Sequence, residues 1–454
     1  MRVLLVNPFQ QRLVAKKGRI YNRKWTPLDL ANCAALLQRE GVDVSIIDAN
    51  AEQIGPLDLA RRAKACQKVF ITSTSLDRWQ CPQLDITPFL NTVHALNDVV
   101  PEVYVMGTHG TVRPAEMLQE AGARAVIRGE PEYTVLELCD SHPLSEVRGI
   151  TFRDGNRVVS TADQRPLNLD DLPLPAFHLL PMGLYRYEVL GDHFSLFEMS
   201  RGCASHCTFC LLKTYGPGVR RKHVDRLIHE IEHAVKNFGV RNAYFFDLEF
   251  TVMRNQVMEL CRYLIKRQLD LTWCCQTRLD LVDDELLGLM KRAGCRLIHS
   301  GVEAGSDRVL GVVEKGITIR QIEAGIRKIK AAGIETACFF IMGFPESTLE
   351  DMNDIVRFAK RLNPTYALFH VAAPYPGTRL YEQVRRMAGF RLSDDTLFPE
   401  AIEGRFTLKE LKAMTRKAYL QYYTRPSYIA SRVAKGEFRA LVNQIGLLFQ
   451  FVAS

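Results

Sequence analysis

Phe194-Ser-Leu-Phe-Glu-Met-Ser200-Arg201-Gly-Cys203-Ala-Ser-His-Cys207-Thr-Phe209-Cys210 joins a strand-like run to three closely spaced cysteines. Residues 194–200 read as a buried strand, and the cysteines fall in the loop at its carboxyl end. Thiolates suit iron–sulfur clusters, and three of them can hold three irons of a cubane while the fourth stays open to a ligand. Structural zinc prefers four ligands in paired C-x-x-C spacing, and no second pair follows here. Cys203, Cys207 and Cys210 are therefore the candidate ligands of a [4Fe–4S] cluster with one open iron.

Downstream, strand candidates recur at 243–248, 272–277, 296–302, 336–342 and 367–372, separated by helical patterns. In the first helix Val224, Leu227, Ile228, Ile231, Ala234 and Val235 share one face, and Gly239 closes it. Six strand–helix repeats predict a parallel barrel, incomplete against the eight-fold form, with its functional loops at the carboxyl ends of the strands. Beyond residue 390 the chain reads as helical.

Upstream, residues 1–140 alternate short strands (3–6, 44–48, 69–72, 103–106, 125–128) with helical runs such as 28–39. Buried β-branched runs between helices predict a parallel, doubly wound sheet, which binds ligands at the carboxyl ends of its strands. Those ends are Asn7-Pro8, Thr72-Ser73-Thr74-Ser75, Gly107-Thr-His109-Gly110 and Gly129-Glu130-Pro-Glu132. Small and hydroxylated residues there let backbone approach a large flat ligand. Residues 141–190 lose the rhythm: Asp154-Gly155 marks a hairpin turn, and Pro166, Pro173, Pro175 and Pro181 mark an extended linker. The expected division is an α/β sheet domain over 1–140, a linker over 141–190, a partial barrel over 191–390 and a helical region over 391–454.

Among the 454 residues, 47% are hydrophobic and 24% charged, the balance of a soluble globular protein. A net charge of +8 without a concentrated basic block argues against nucleic acid as a partner. The apolar run at the start is too short for a signal peptide, and no stretch reaches the ~18 apolar residues of a membrane span. Twelve cysteines in a chain without an export signal predict reduced thiols and a cytoplasmic location. The tail residues Tyr419, Tyr422, Tyr423, Arg425, Arg432, Lys435 and Arg439, followed by an apolar end at 445–452, suit a peripheral membrane contact that admits a lipid. They suit still better a terminal helix packed over the barrel.

C-x-x-x-C-x-x-C with an aromatic residue before the last cysteine resembles the defining motif of the radical S-adenosylmethionine (SAM) superfamily. Phe246-Asp247-Leu-Glu249, Gln276-Thr-Arg278-Leu-Asp280, Gly301-Val-Glu303-Ala-Gly-Ser306 and Met342-Gly343-Phe-Pro-Glu346 resemble its later SAM-contacting loops. The resemblance implies that Phe209 flanks the adenine and that Asp247 or Glu249 accepts the SAM ammonium. It implies further that Arg278 pairs with the SAM carboxylate, that Glu303 binds ribose hydroxyls, and that Gly343 shapes a turn beside the cofactor. Placed before such a barrel, residues 1–140 resemble the cobalamin-binding domain of the cobalamin-dependent radical SAM class. Thr72, Ser73, Thr74 and Ser75 would then face the corrin, with Gly107, His109, Gly110, Gly129 and Glu130 beside it. The Asp-x-His-x-x-Gly motif that supplies a histidine to cobalt is absent after the first strand, which implies cobalt with a weak lower ligand, water or none.

The activity so implied is cleavage of SAM to a 5′-deoxyadenosyl radical, fed by a flavodoxin or ferredoxin, and cobalamin-dependent methylation of an unactivated carbon in a small-molecule or lipid substrate. The same class includes radical cyclases and ring-rearranging enzymes of secondary-metabolite or lipid biosynthesis. A methylthiotransferase would need three amino-terminal cluster cysteines, and Cys33, Cys66 and Cys81 do not have that arrangement. An iron–sulfur scaffold or electron carrier would have no use for Arg278 and Glu303. Cys139, Cys261, Cys274, Cys275, Cys295 and Cys338 lack ligand spacing, and most should be core.

Overall fold

The computed structural model describes residues 1–9, 24–73, 85–140, 142–216, 218–393 and 396–434. Five parallel strands open the chain: β1 (Arg2–Asn7), β2 (Asp43–Asp48), β3 (Lys68–Thr72), β4 (Glu102–Met106) and β5 (Ala125–Ile127). They lie in the order β2-β1-β3-β4-β5, with helices between them. The sheet does not stop near residue 140. β6 (Ile150–Asp154) and β7 (Arg157–Ser160) pair antiparallel on its β5 edge, so the first part of the expected linker belongs to the sheet. The Asp154-Gly155 turn is the tip of that hairpin, with Gly155 at φ +55°. Its strands are short, and only Ile150, Thr151 and Phe152 are buried, which left little periodicity to read.

The chain then crosses in short turns to a second sheet. Six parallel strands, Phe194–Phe197, Asn242–Phe245, Thr272–Gln276, Cys295–Glu303, Glu335–Met342 and Tyr366–Val371, pair in chain order as an open partial barrel. The expected first strand is shorter than its apolar run. It leaves the barrel at Phe197, and Ser200–Cys203 pairs instead with Gly218–Arg221 in a separate antiparallel ribbon. Gly202, at φ +94°, makes this possible: a Cβ there would stand 2.0 Å from the Gly218 carbonyl oxygen.

The two sheets share one apolar core. Trp25, 1% exposed, inserts among Tyr187, Phe194 and Tyr244, with ring centroids 5.2–5.6 Å away. In the crossing segment, Tyr185 donates to the buried Asp48 carboxylate at the end of β2 (2.9 Å), which also accepts from Asn7 (2.8 Å) and the Ala51 amide (2.9 Å).

The helix Leu408–Tyr423 begins with a capping box between Thr407 and Glu410 and packs along the last barrel strand. The Tyr423 hydroxyl accepts from the Ala367 amide (3.0 Å) and donates to the Ala367 carbonyl (2.9 Å), and the Tyr419 hydroxyl accepts from the Phe369 amide (3.1 Å). An edge strand's unpaired backbone is thus satisfied by tyrosines of the tail. Lys435, Arg439 and the apolar end lie outside the described residues. No helix among those described is long and apolar enough to cross a membrane.

Burial pushes the Asp48 carboxyl up to about 6, against the hydrogen bonds that favour its charge. The folded state therefore prefers the protonated form. Its contribution is fully present below the usual pKa of 3.8 and is lost as the pH rises through about 6. Asp48→Asn, which mimics the neutral acid, should gain on the wild type by about 2 kcal/mol between pH 4 and pH 7 in thermal unfolding of the full chain. An unchanging difference between the two proteins would refute this.

Candidate active site

The cysteine loop is held from several sides. At the carboxyl end of its strand, buried Asp247 accepts from the Met199 amide (3.1 Å) and from the Ser200 hydroxyl, fixing the chain just before Cys203. Burial pushes its carboxyl up to about 6. The Thr208 amide donates to the Val313 carbonyl (3.0 Å), and the Leu380 amide donates to the Thr208 carbonyl (2.9 Å). Cys203, Cys207 and Cys210 are half-buried on this loop, and none is in a disulfide. Burial pushes the Cys203 thiol up to about 11 and the Cys207 thiol upward as well, so metal binding would have to release protons. Among the described residues no three ligand side chains converge on a single-ion position. A cubane does not need that, because each thiolate meets a different iron. The donor set fits a [4Fe–4S] cluster.

Polar groups from neighbouring strand ends meet at this loop. The Ser205 amide donates to Cys203 Sγ (3.3 Å), and its hydroxyl donates to Glu249 Oε1 (2.7 Å). Arg278 donates to the Ser205 hydroxyl (3.0 Å) and to the Lys315 and Gly316 carbonyls (2.7 and 2.9 Å), and pairs with Asp280 (2.9 Å). Glu303, at φ +65° beyond a bulge in its strand, pairs with Lys315 Nζ (2.8 Å). Burial works against the Lys315 charge, but the Glu303 carboxylate beside it holds the ammonium above its ordinary range. The Phe209 ring packs 5.4 Å from Phe344, and Gly343, at φ +90°, lies where a Cβ would stand 2.8 Å from Leu411.

The expected SAM contacts thus gather around the loop, with a division of tasks that their sequence did not disclose. Both oxygens of Asp247 accept hydrogen bonds from the strand's own exit, which leaves Glu249 as the acidic group at the cysteines. Arg278 braces the loop itself. Lys315 and Ser205 were missed: one is a lysine in a loop of mixed charge, the other a serine inside the motif, and neither carries a pattern.

At the carboxyl edge of the first sheet, Asn7, Thr72, Ser73, Thr108 and His109 are buried. His109 Nδ1 lies 3.0 Å from the Ser73 hydroxyl, and its ring meets Phe398 edge-on at 4.6 Å. Gly107, at φ +108°, starts the helix Thr108–Val112. A Cβ on Gly110 would stand 2.5 Å from Val126 Cγ1, so glycine there serves close packing of that helix on the sheet. The Gly129 amide donates to Thr111 Oγ1 (3.0 Å). Thr74 and Ser75 lie outside the described residues. A flat ligand at this edge would meet short hydroxylated side chains and the His109–Ser73 pair. Val112 shares an apolar patch with Leu211, the residue after Cys210, and with Phe398, so the sheet edge and the cysteine loop are neighbours.

Glu130 has a different task from the one expected. It accepts from Arg201 (3.0 Å), Arg220 (2.9 Å) and the Leu167 amide (3.0 Å). Arg201, two residues before Cys203 and 2% exposed, also pairs with Glu132 (2.6 Å) and Glu198 (2.7 Å). Asn32 of the helix Leu28–Arg39 donates to Glu198 as well (3.3 Å). One guanidinium therefore holds two carboxylates from the start of the helix Pro131–Cys139, which follows the first sheet's β5, and one from the chain leaving the first barrel strand.

A cysteine loop open on one side, at the mouth of a partial parallel barrel and beside a doubly wound sheet, defines a radical SAM enzyme. Residues 197–359 match the radical SAM superfamily. The chain is 31% identical over 445 residues to an uncharacterized methyltransferase of Pyrococcus horikoshii, covering 94% of each. It is 28% identical over 400 residues to the anaerobic magnesium-protoporphyrin IX monomethyl ester cyclase of Cereibacter sphaeroides, covering 85% of this chain and 64% of that one. Among solved structures it shares its fold with the radical SAM methyltransferase TsrM of Kitasatospora setae, solved with cobalamin and a [4Fe–4S] cluster (TM-score 0.69, 18% identity, 87% of this chain and 77% of that one). It shares it also with the cobalamin-dependent radical SAM enzyme OxsB, solved with aqua-cobalamin and SAM (TM-score 0.74, 17% identity, 98% and 72%). The chain belongs to the radical SAM superfamily and has the two-domain fold of these cobalamin-binding members.

Arg201→Met would leave three buried carboxylates without their common partner. It should cost about 3–5 kcal/mol in thermal unfolding and lower the iron held per chain after anaerobic reconstitution. Glu132→Gln keeps an acceptor for Arg201 and should cost only about 1 kcal/mol. Equal stability of the Met variant and the wild type would contradict the pairing.

Proposed function

We propose that this enzyme is a cobalamin-dependent radical SAM C-methyltransferase acting on an unactivated carbon of a small molecule or lipid in the cytoplasm. The observation that carries the reading is the shared patch of Val112, Leu211 and Phe398, which sets the ligand edge of the first sheet against the cysteine loop. When bound, the reduced cluster would supply the electron that splits SAM into a hydrogen-abstracting radical, and cobalamin would supply the methyl group.

The chain's own residues bind and orient. Cys203, Cys207 and Cys210 would hold the cluster and leave one iron for SAM. Glu249, hydrogen-bonded by Ser205, would accept the methionyl ammonium, and Lys315 would face its carboxylate. Glu303 would take the ribose hydroxyls, and Phe209 with Phe344 would flank the adenine. Thr72 and Ser73 would line the corrin, and no histidine stands at the exit of β1 to reach cobalt. The likeness to the Cereibacter cyclase favours ring closure as a second reading.

Anaerobic turnover with methyl-labelled SAM separates these parts. Cys203→Ala/Cys207→Ala/Cys210→Ala should lose the cluster and all 5′-deoxyadenosine. Glu303→Ala should weaken SAM binding by about tenfold or more, reducing 5′-deoxyadenosine and S-adenosylhomocysteine together. Ser73→Phe, in protein that keeps its cluster, should abolish cobalamin binding and S-adenosylhomocysteine while 5′-deoxyadenosine persists. Equal loss of both products in that variant would overturn the two-site reading, and 5′-deoxyadenosine without label transfer in the wild type would favour the cyclase.

A further inference from the structure

We propose that the basic surface formed by Arg379, Arg385, Arg386 and Lys213 is the docking site for an acidic one-electron carrier protein that reduces the cluster. The proposal rests on the radical SAM reading above and adds where the electron enters. One electron leaves the carrier's reduced flavin or iron–sulfur centre and enters the oxidised cluster. The carrier is oxidised by one and the cluster reduced by one, and no bond forms or breaks at the contact.

Position is the first argument. The short helix Arg379–Val384 is fastened directly to the cysteine loop. Its Leu380 amide donates to the Thr208 carbonyl (2.9 Å), and the Arg379 guanidinium donates to the carbonyl of His206, the residue before Cys207. Ala204 and His206, between the first two cysteines, are exposed, so the loop meets solvent on this side. A carrier seated on this helix is therefore in contact with the segment that holds the metal ligands.

Charge and shape are the second. Arg379, Lys213, Arg385 and Arg386 are all exposed. Two carboxylates stand among them: Glu314, paired with Arg379 (2.8 Å), and Glu382. Among these six described side chains four cations stand against two carboxylates, and Glu314 already neutralises Arg379. Between Gly377 and Arg386 the surface is hollowed by a cavity of about 330 Å³. Lys213 lies beside Gly377, its Cδ 3.5 Å from where a Gly377 Cβ would stand. The Arg385 guanidinium sits over the buried Tyr381 ring at 5.7 Å, which keeps that charge in place on the surface. A fixed positive concavity beside a redox centre attracts a partner of opposite sign and raises its encounter rate.

Arg385→Glu/Arg386→Glu and Lys213→Glu test this without touching a residue that meets the cysteine loop's backbone. Wild type and variants, cluster-loaded, are driven either by dithionite or by flavodoxin with its NADPH-dependent reductase, and 5′-deoxyadenosine is measured. With dithionite the rates should be equal. With flavodoxin the variants should fall by about tenfold or more, and the wild-type rate should fall as salt rises from ~0.05 to ~0.5 M. Equal rates with flavodoxin would overturn the docking site, and so would equal losses with both reductants, since the charges would then serve the enzyme itself. Unchanged flavodoxin rates with lost binding to phosphatidylglycerol vesicles would assign the surface to a membrane instead. A wild type that makes no 5′-deoxyadenosine with either reductant would overturn the radical SAM reading beneath.

Discussion

The buried guanidinium of Arg201 is the contact on which the arrangement of this enzyme depends. Removing such a charge from water costs several kcal/mol, and so does burying each carboxylate around it. Glu130 and Glu132 come from the start of a helix in the first unit, and Glu198 comes from the bend that leads out of the barrel. Neither half of the molecule can bury its share alone. The cluster is complete only when the sheet and barrel are docked, and it is then complete two residues from Cys203. Arg220, at the rim, adds a second cation on Glu130. The ion pairs that join the two units thus also fix the chain two residues before Cys203.

The acidic residues near the site divide by what they already hold. Asp247 and Glu130 are fully engaged by the chain's own donors and serve as positioning groups. Glu249 and Glu303 are instead tied to groups at the cysteine loop, Ser205 and Lys315, that a ligand can compete for. Asp247 shows how burial and hydrogen bonding oppose each other: backbone and hydroxyl donors favour its charge, and desolvation outweighs them. Lys315 shows the opposite outcome, because Glu303 is close enough to overcome its burial.

Much of this was legible in the sequence. Each barrel strand is a run of apolar residues between amphipathic helices, and the structure keeps all six. Val224 to Val235 fall on one helical face, and Gly239 ends that helix in the left-handed region, as its spacing required. The cysteine loop stands beyond the carboxyl end of the first barrel strand, where the motif put it. What escaped has no period. The ribbon at Ser200–Cys203 depends on the missing Cβ of Gly202 meeting Gly218, and Arg201 finds Glu130 and Glu132 across some seventy residues of chain. The tail packs over the barrel as its pattern suggests, but nothing in that pattern tells that the Tyr419 and Tyr423 hydroxyls satisfy the backbone of an edge strand. Long-range pairings of this kind are set by the fold and leave no local pattern.

In the proposed function one loop presents a cluster to a corrin seated at the edge of the neighbouring sheet. Electron paramagnetic resonance of the anaerobic enzyme, carrying both the reduced cluster and cobalt(II) cobalamin, tests it most directly. Two unpaired spins at facing sites should split or broaden each other's signals and speed their relaxation, relative to samples holding either centre alone. Signals that merely add, with both centres bound one per chain, would place the corrin away from the cysteine loop and contradict the account.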